Sequence, residues 1–471
     1  MSSNSSRELP TDRLATSDKH GNRVYLYPAE VKGRFRRLRT WVHSGLILIF
    51  LLLPWLQIDG RQAVLLDISA RRFSIFGITF WAHDAPMLVF VFGGAALTLG
   101  LVTAVWGRVW CGWACPQTVF IDSLFRVIEK WIEGDHVARK KLDIEDWSVE
   151  KFCKKALKWV FFAGATLIIA HSFIAYFVGT EALGQMIRRS PSENPMSFSV
   201  MLFITGAILF DFGWFREQFC TVLCPYGRFQ SLLMDDHSWL VTYDAKRGEP
   251  RKGTEPENGA KGDCVNCYRC VQVCPTGIDI RRGTQLECIG CTACIDACDD
   301  VMIRIQKPKG LIRYDSAVGL LGRKTKTFRA RTIAYSFLIL GILSGLVSTL
   351  VTRQPIEATF VRAVDTPYQE IKNATGGIEI INRFKVDLSN QSFEDAELDL
   401  SPSSEFSAKG VTFVFAGRPI HIQAGKKSAA EFFVKFPKSI LSNGRTLIKL
   451  NVTGSTGVLI TEELSLVGPY L

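Results

Sequence analysis

Eight cysteines crowded between Cys264 and Cys298 constrain this chain more than anything else in it. Cys264, Cys267, Cys270 and Cys274 follow the spacing C-x2-C-x2-C-x3-C, with Pro275 after the last. Cys288, Cys291, Cys294 and Cys298 repeat that spacing. Three thiolates so close together wrap the chain around one compact centre, and soft sulfur ligands suit iron–sulfur binding. Zinc ribbons use paired C-x2-C knuckles, which leaves the third cysteine and the fourth at x3 without a purpose. The spacing therefore predicts two [4Fe–4S] clusters. Asp299, not proline, follows Cys298; this alters the local turn and charge but removes no ligand.

In two-cluster ferredoxins the fourth cysteine of each run ligates the other run's cluster. That pattern assigns Cys264, Cys267, Cys270 and Cys298 to one cluster, and Cys288, Cys291, Cys294 and Cys274 to the second. All thirteen cysteines of the chain lie between Cys111 and Cys298, unlike an extracellular disulfide scaffold.

Five stretches are apolar enough to cross a bilayer, which takes about 20 residues. They cover roughly 41–57, 86–106, 157–178, 196–214 and 333–351; the first is short, with Pro54 near its end. Any one could be a buried core helix, but five with few interior charges point to a multi-pass membrane protein. The net charge of +11 fits a nucleic-acid binder or a membrane protein with basic inner loops. Its distribution decides. Lys32 to Arg39 precede the first span. Arg139, Lys140, Lys141, Lys151, Lys154, Lys155 and Lys158 stand between the second and third. Lys324, Lys326, Arg329 and Arg331 precede the fifth, whereas the opposite loops hold Arg61, Arg71, Arg72, Arg188 and Arg189. The excess places the N-terminus, the 107–156 loop and the 215–332 region in the cytoplasm, and the tail after Thr352 outside, in the periplasm of a double-membrane bacterium. No nucleic-acid motif or basic stripe remains. The polar N-terminus shows no cleavable signal peptide.

The tail from about Gln354 reads as β. Val411–Ala416, Glu431–Phe436 and Thr446–Val452 are rich in β-branched and aromatic residues, with turn signals at Ala424-Gly425, Ser442-Asn443-Gly444 and Gly454-Ser455. A small β-sandwich fits. The expected organisation is a cytoplasmic segment 1–40, a four-span membrane domain 41–235, a dicluster α+β ferredoxin module of bacterial type 236–332, a fifth span 333–351, and a periplasmic all-β domain 352–471.

The membrane part contains a repeat. The second span runs into VWCGWACPQTVFIDSLF (Val109 to Phe125), and the fourth into QFCTVLCPYGRFQSLLM (Gln218 to Met234). Two related hairpins thus each present a CxxxCP pair: Cys111 and Cys115, then Cys220 and Cys224. On a helix, residues four apart share a face, so each pair could offer two sulfurs to one ion. Soft thiolates favour Cu(I), zinc or iron–sulfur; the plain alternative is packed membrane-edge cysteines. His171 lies mid-span, where an ionisable group either serves function or bonds a neighbouring helix. His43 reads as an interfacial anchor. Asp211, Arg216 and Glu217 border the second pair, tuning it or ending the helix. Cys153 has no assigned role. Walker A, GxGxxG, CxxCH and GxSxG motifs are absent.

The runs GRVWCGWACPQTVF, REQFCTVLCPYGRFQSLLMD and CVQVCPTGIDIRRGTQLECIGCTACIDACDDVM together resemble the cytochrome c oxidase accessory protein family of FixG/CcoG/RdxA type. The resemblance covers nearly the whole chain. It implies an immunoglobulin-like C-terminal domain and a place in the bacterial inner membrane. It also implies a part in the assembly of cbb-type haem–copper oxidases, with oxidase subunits or copper-delivery proteins as partners. Cys111, Cys115, Cys220 and Cys224 would then be copper-handling thiols that reduce Cu(II) to Cu(I), with the ferredoxin cysteines as the electron store and the electron donor open. Two other readings stand beside it: a quinol-linked membrane ferredoxin without copper chemistry, and a non-catalytic assembly factor whose β domain grips oxidase subunits.

Overall fold

The computed structural model describes residues 16–17, 20, 22–58, 60–69, 72–81, 85–254, 261–352, 356–363, 366–372, 377–390, 395–415, 417–423, 426–454 and 457–469. Arg71, Gln354, Ala416, Ala424-Gly425 and Ser455, which entered the expectations above, lie outside them. The chain divides into two compact units, 1–347 and 348–471, taken here one at a time.

The expected apolar helices stand at Arg34–Trp55, Met87–Trp106, Val149–Val178 and Pro195–Phe215 in the first unit, and the fifth runs Ala330–Val351. The first starts near Arg34 rather than 41, because a distant residue caps it. The Asp296 carboxylate accepts the backbone N–H groups of Phe35 (3.2 Å) and Arg36 (2.7 Å). A helix start leaves such donors orphaned and favours a negative charge. Pro54 falls in the 3-10 turn Leu53–Trp55 that ends the helix. The third helix is also longer than expected. Ser148 Oγ caps it by accepting the Lys151 N–H at 3.1 Å. Its lysines then find acids: Lys155 and Lys158 reach Glu133 at 2.8 and 2.9 Å, so the basic stretch stays helical.

Between the first two spans, where sequence suggested only a loop, Val64–Asp67, Arg72–Ile75 and Ile78–Trp81 form an antiparallel meander. Phe76 and Gly77, both at positive φ, make the two-residue turn opposite the paired Ile75 and Ile78. The two hairpins of the repeat meet in an aromatic core of Phe120, Phe125, Phe162 and Phe212. Phe125 stacks edge-on to Phe162 at 4.8 Å and Phe120 lies 5.5 Å from Phe212. The cysteine-rich part is α+β. Leu240–Tyr243 pairs antiparallel with Ile312–Asp315, and these strands pack with Ile280, Ile295, Met302 and Leu311 against the helix Ala293–Arg304.

The second unit is two antiparallel sheets around one core. One sheet runs in the order Thr412–Phe415, Lys427–Pro437, Ile378–Asn390, Ile356–Arg362, with Gln369–Lys372 also on Ile378–Asn390. The other runs Ile420–Ile422, Ala396–Pro402, Arg445–Gly454, Gly457–Val467. Alternation decides the faces: Phe432, Val434 and Phe436 point inward, while Phe433 is exposed. Asn443-Gly444, both at positive φ, turn the chain between Ser442 and Arg445, as that dipeptide favours. Buried Asn382 ties the sheets: its side chain donates to Val467 O at 2.8 Å and accepts from Val467 N–H at 2.8 Å.

Candidate functional site

The two ferredoxin-type cysteine runs fold alike. Asn266 and Tyr268 flank Cys267 at φ 57° and 56°, and Gly290 and Thr292 flank Cys291 at 65° and 63°. Each run then enters a helix, Arg269–Gln272 or Ala293–Arg304. Left-handed residues on both sides of the middle cysteine bend the backbone sharply around it, as in anion-binding nests. The Gly290 N–H donates to Cys288 Sγ at 3.4 Å. A small pocket is lined by Cys274, Cys288, Cys291 and Cys294, with Cys270, Ile278, Ile280 and Ile289. Burial, then neighbours that include Cys274 and Cys291, pushes the Cys288 thiol up to about 12. Burial also pushes Cys298 up to about 12, with Cys264 and Cys267 among its neighbours. The fourth cysteine of each run therefore lies beside the other run.

These residues fit a [4Fe–4S] group: clustered sulfurs, an N–H donated to one of them, apolar walls, and buried thiols that resist ionisation unless a cation joins them. Among the described residues no three His, Cys, Asp or Glu side chains stand at the spacing of one ion. A cubane gives each thiolate its own iron, so it does not require three ligands around one ion. Cys267 is the exposed member of the eight; the others are buried or half-buried.

The CxxxCP pairs depart from the helical expectation. Cys111 belongs to the short helix Val109–Trp113, but Cys115 is extended (φ −64°, ψ 126°). Cys220 lies in the π-helical turn Phe219–Leu223, and Cys224 is extended (φ −68°, ψ 111°). The cause is local: Pro116 and Pro225 exclude the preceding residue from helix and start new helices themselves. Burial first, then Cys115, raises the Cys111 thiol to about 12, and Cys224 and Cys288 add to it. Burial also raises Cys220, with Cys115, Cys111 and Cys224 as its sulfur neighbours. Thiols of the two hairpins thus lie near enough to influence one another, and Cys288 of the cluster loop lies near enough to influence Cys111. Cys111 Sγ donates to Gln230 Oε1 at 3.5 Å.

Buried ion pairs lock the hairpins together. Glu129, after the first pair, takes both ends of the Arg216 guanidinium (2.5 and 3.1 Å), just before the second pair. Arg139 adds a contact to Glu129 at 2.8 Å. Asp122 receives Arg39 and Arg126, and Arg126 also reaches Glu217. Burial works against the Asp122 charge, but Arg39 and Arg126 hold its carboxyl well below the usual range. Gln117 donates to Asp211 at 2.9 Å. Asp211, Arg216 and Glu217 therefore act as clasps between the hairpins.

The first CxxxCP pair abuts the cluster loop. A Cβ on Gly112 would fall 2.7 Å from Ile289 O, and one on Gly290 would fall 2.9 Å from Arg108 O. Arg108 donates to the carbonyls of Leu286 and Cys288, the latter at 2.8 Å. The Tyr314 hydroxyl donates to Gly290 O at 3.2 Å. On the other side, Arg39 Nε donates to Gly112 O at 2.7 Å. His43 is fully buried, 2.8 Å from Ser123 Oγ and 3.4 Å from Gly112 O, so it supports the motif rather than anchoring at an interface. Sequence reasoning passed over Arg39, Arg108, Asp122 and Glu129; the one signal was charge placed beside a cysteine motif. His171 bonds its own helix, Nδ1 to Leu167 O at 2.8 Å, not a neighbouring one. Cys153 is exposed on the third span helix.

Comparison with known proteins agrees with this layout. Residues 85–134 match a family described as a 4Fe-4S binding domain, and 215–317 one described as a 4Fe-4S dicluster domain. Residues 346–469 match the IG-like fold at the C-terminal of FixG. Fold and site together define a multi-pass membrane iron–sulfur protein with a ferredoxin module and an immunoglobulin-like β domain. Protein RdxA of Cereibacter sphaeroides is 35% identical over 88% of this chain and 90% of its own length. Protein RdxB of the same organism is 37% identical over 83% of this chain and 84% of its own. Nitrogen fixation protein FixG of Rhizobium meliloti is 40% identical over 61% of this chain and 56% of its own. The chain belongs to the FixG/RdxA family.

Proposed function

We propose that this protein reduces Cu(II) to Cu(I) at the CxxxCP thiols, with electrons supplied by the ferredoxin module, in the maturation of a cbb-type oxidase. The observation that carries the reading is the contact of Gly112, inside the first CxxxCP pair, with the Ile289–Gly290 backbone of the cysteine loop. We assign Cys264, Cys267, Cys270 and Cys298 to one [4Fe–4S] cluster and Cys288, Cys291, Cys294 and Cys274 to the second. When bound, such clusters store and pass single electrons over a wide range of potentials. Cys111, Cys115, Cys220 and Cys224 would receive copper. Cu(II) prefers tetragonal N/O sites and Cu(I) prefers thiolates, so a sulfur site draws the substrate toward the reduced ion. Cys267, on the exposed side, is the natural approach for an electron donor.

The placement of basic residues supports a cytoplasmic ferredoxin module and a periplasmic β domain in a bacterial inner membrane. That β domain is the candidate surface for oxidase subunits or copper-delivery proteins. Anaerobically purified protein with reduced clusters should reduce Cu(II). The four-Cys→Ser variant at the CxxxCP pairs should keep both clusters and lose that activity. Full activity in the variant sinks the copper assignment.

A second reading has one observation in its favour: the 4Fe-4S binding match over 85–134 includes Cys111 and Cys115. Here the four thiols serve electron transfer from quinol without copper. Quinol-dependent cluster reduction in protein that binds no copper would favour it.

A further inference from the structure

Arg108 is a buried cation set between two sulfur sites. It stands at the start of the helix that bears Cys111 and is only 4% exposed. Its Nη1 donates to the carbonyls of Leu286 and Cys288, while its buried Nε–H has no hydrogen-bond partner. A small cavity lined by Arg108, Cys288, Gly290 and Tyr314 adjoins it. Burial works against its charge. A guanidinium buried without a full set of partners is unfavourable unless negative charge develops nearby. One such charge is available: an added electron at the sulfur site of Cys288.

We propose that Arg108 is a potential-setting residue, whose guanidinium favours the electron at the Cys288 cluster. This rests on the reading that Cys288 ligates a cluster. The effect is selective. Arg281, the guanidinium beside the other sulfur set, is already neutralised by Asp279 at 2.7 Å. Loss of the Arg108 charge therefore disturbs one cluster and not its neighbour.

The test uses the full-length protein, purified without oxygen, with Arg108→Gln and Arg108→Lys. Iron and sulfide content and an EPR-monitored redox titration are measured. Two clusters in the wild type are the prerequisite, and their absence defeats the iron–sulfur reading before any variant is considered. In Arg108→Gln, one cluster should become harder to reduce by at least tenfold in equilibrium, about 59 mV for one electron. The other cluster should not move. Arg108→Lys keeps the charge but loses the planar fork, and should keep that equilibrium within about threefold of wild type by the same charge argument. Unmoved potentials in Arg108→Gln overturn the proposal. So does an Arg108→Lys shift as large as that of Arg108→Gln. If Arg108→Gln loses a cluster, the lysine variant decides alone: a wild-type midpoint supports the charge, and a shifted one overturns it.

Discussion

Gly112 and Ile289 touch through their backbones: a Cβ on Gly112 would stand 2.7 Å from the Ile289 carbonyl oxygen. One residue sits between Cys111 and Cys115, the other between Cys288 and Cys291. The obstructing atoms are main chain, so they cannot swing aside as a side chain would. Gly112→Ala should push the loop and the motif apart, at about 1–3 kcal/mol as for other overpacked sites. Thermal unfolding of the purified protein should fall, and copper reduction should slow while iron content holds.

The crossed placement of Cys274 and Cys298 makes a second prediction. Cys274→Ser should damage the cluster we assign to Cys288, Cys291 and Cys294, and Cys298→Ser the other. EPR of the two variants should show complementary losses. Identical spectra would contradict the crossed assignment.

Glu129 and Arg216 form a pair buried on both sides, with side chains 2% exposed. Burial opposes the Glu129 charge, but Arg216 outweighs it and lowers the carboxyl from 4.5 to about 2. A lowered carboxylate adds stability above its unfolded value, and that stability drains as pH falls from about 4.5 toward 2. Glu129→Gln should therefore be destabilising at neutral pH by about 3–5 kcal/mol, since it strands a buried guanidinium. It should also flatten the acid limb of the melting profile. Glu129→Met with Arg216→Met should recover part of the loss.

In the β unit, Phe432 is fully buried among Phe360, Phe384, Phe413 and Phe415, at ring distances of 5.1 to 6.1 Å. Phe432→Ala should cost about 3–5 kcal/mol. Limited proteolysis should then cut the 348–471 unit preferentially, with cluster spectra unchanged.

Cysteine spacing, apolar length and β-alternation are local patterns, and each was legible in the chain. What escaped is what only tertiary contact creates. Asp296 caps a helix that begins at Arg34, which no window of sequence connects. Ser148 and the acid Glu133 extend the third span helix below its apolar part. The prolines after Cys115 and Cys224 were visible, yet the helical i, i+4 picture ignored their effect on the residue before them. The meeting of Gly112 with Ile289 was hidden altogether, because a glycine reveals its reason only when its neighbour is known.

The most direct test is stoichiometric. Full-length protein with both clusters reduced is mixed anaerobically with Cu(II) and a Cu(I) chelator, and cluster absorbance is followed with the Cu(I) signal. The account predicts one Cu(I) for each electron the clusters lose, and neither change in the Cys111, Cys115, Cys220 and Cys224 quadruple serine variant. Clusters that stay reduced in the presence of copper, or a quadruple variant that matches wild type, would contradict it.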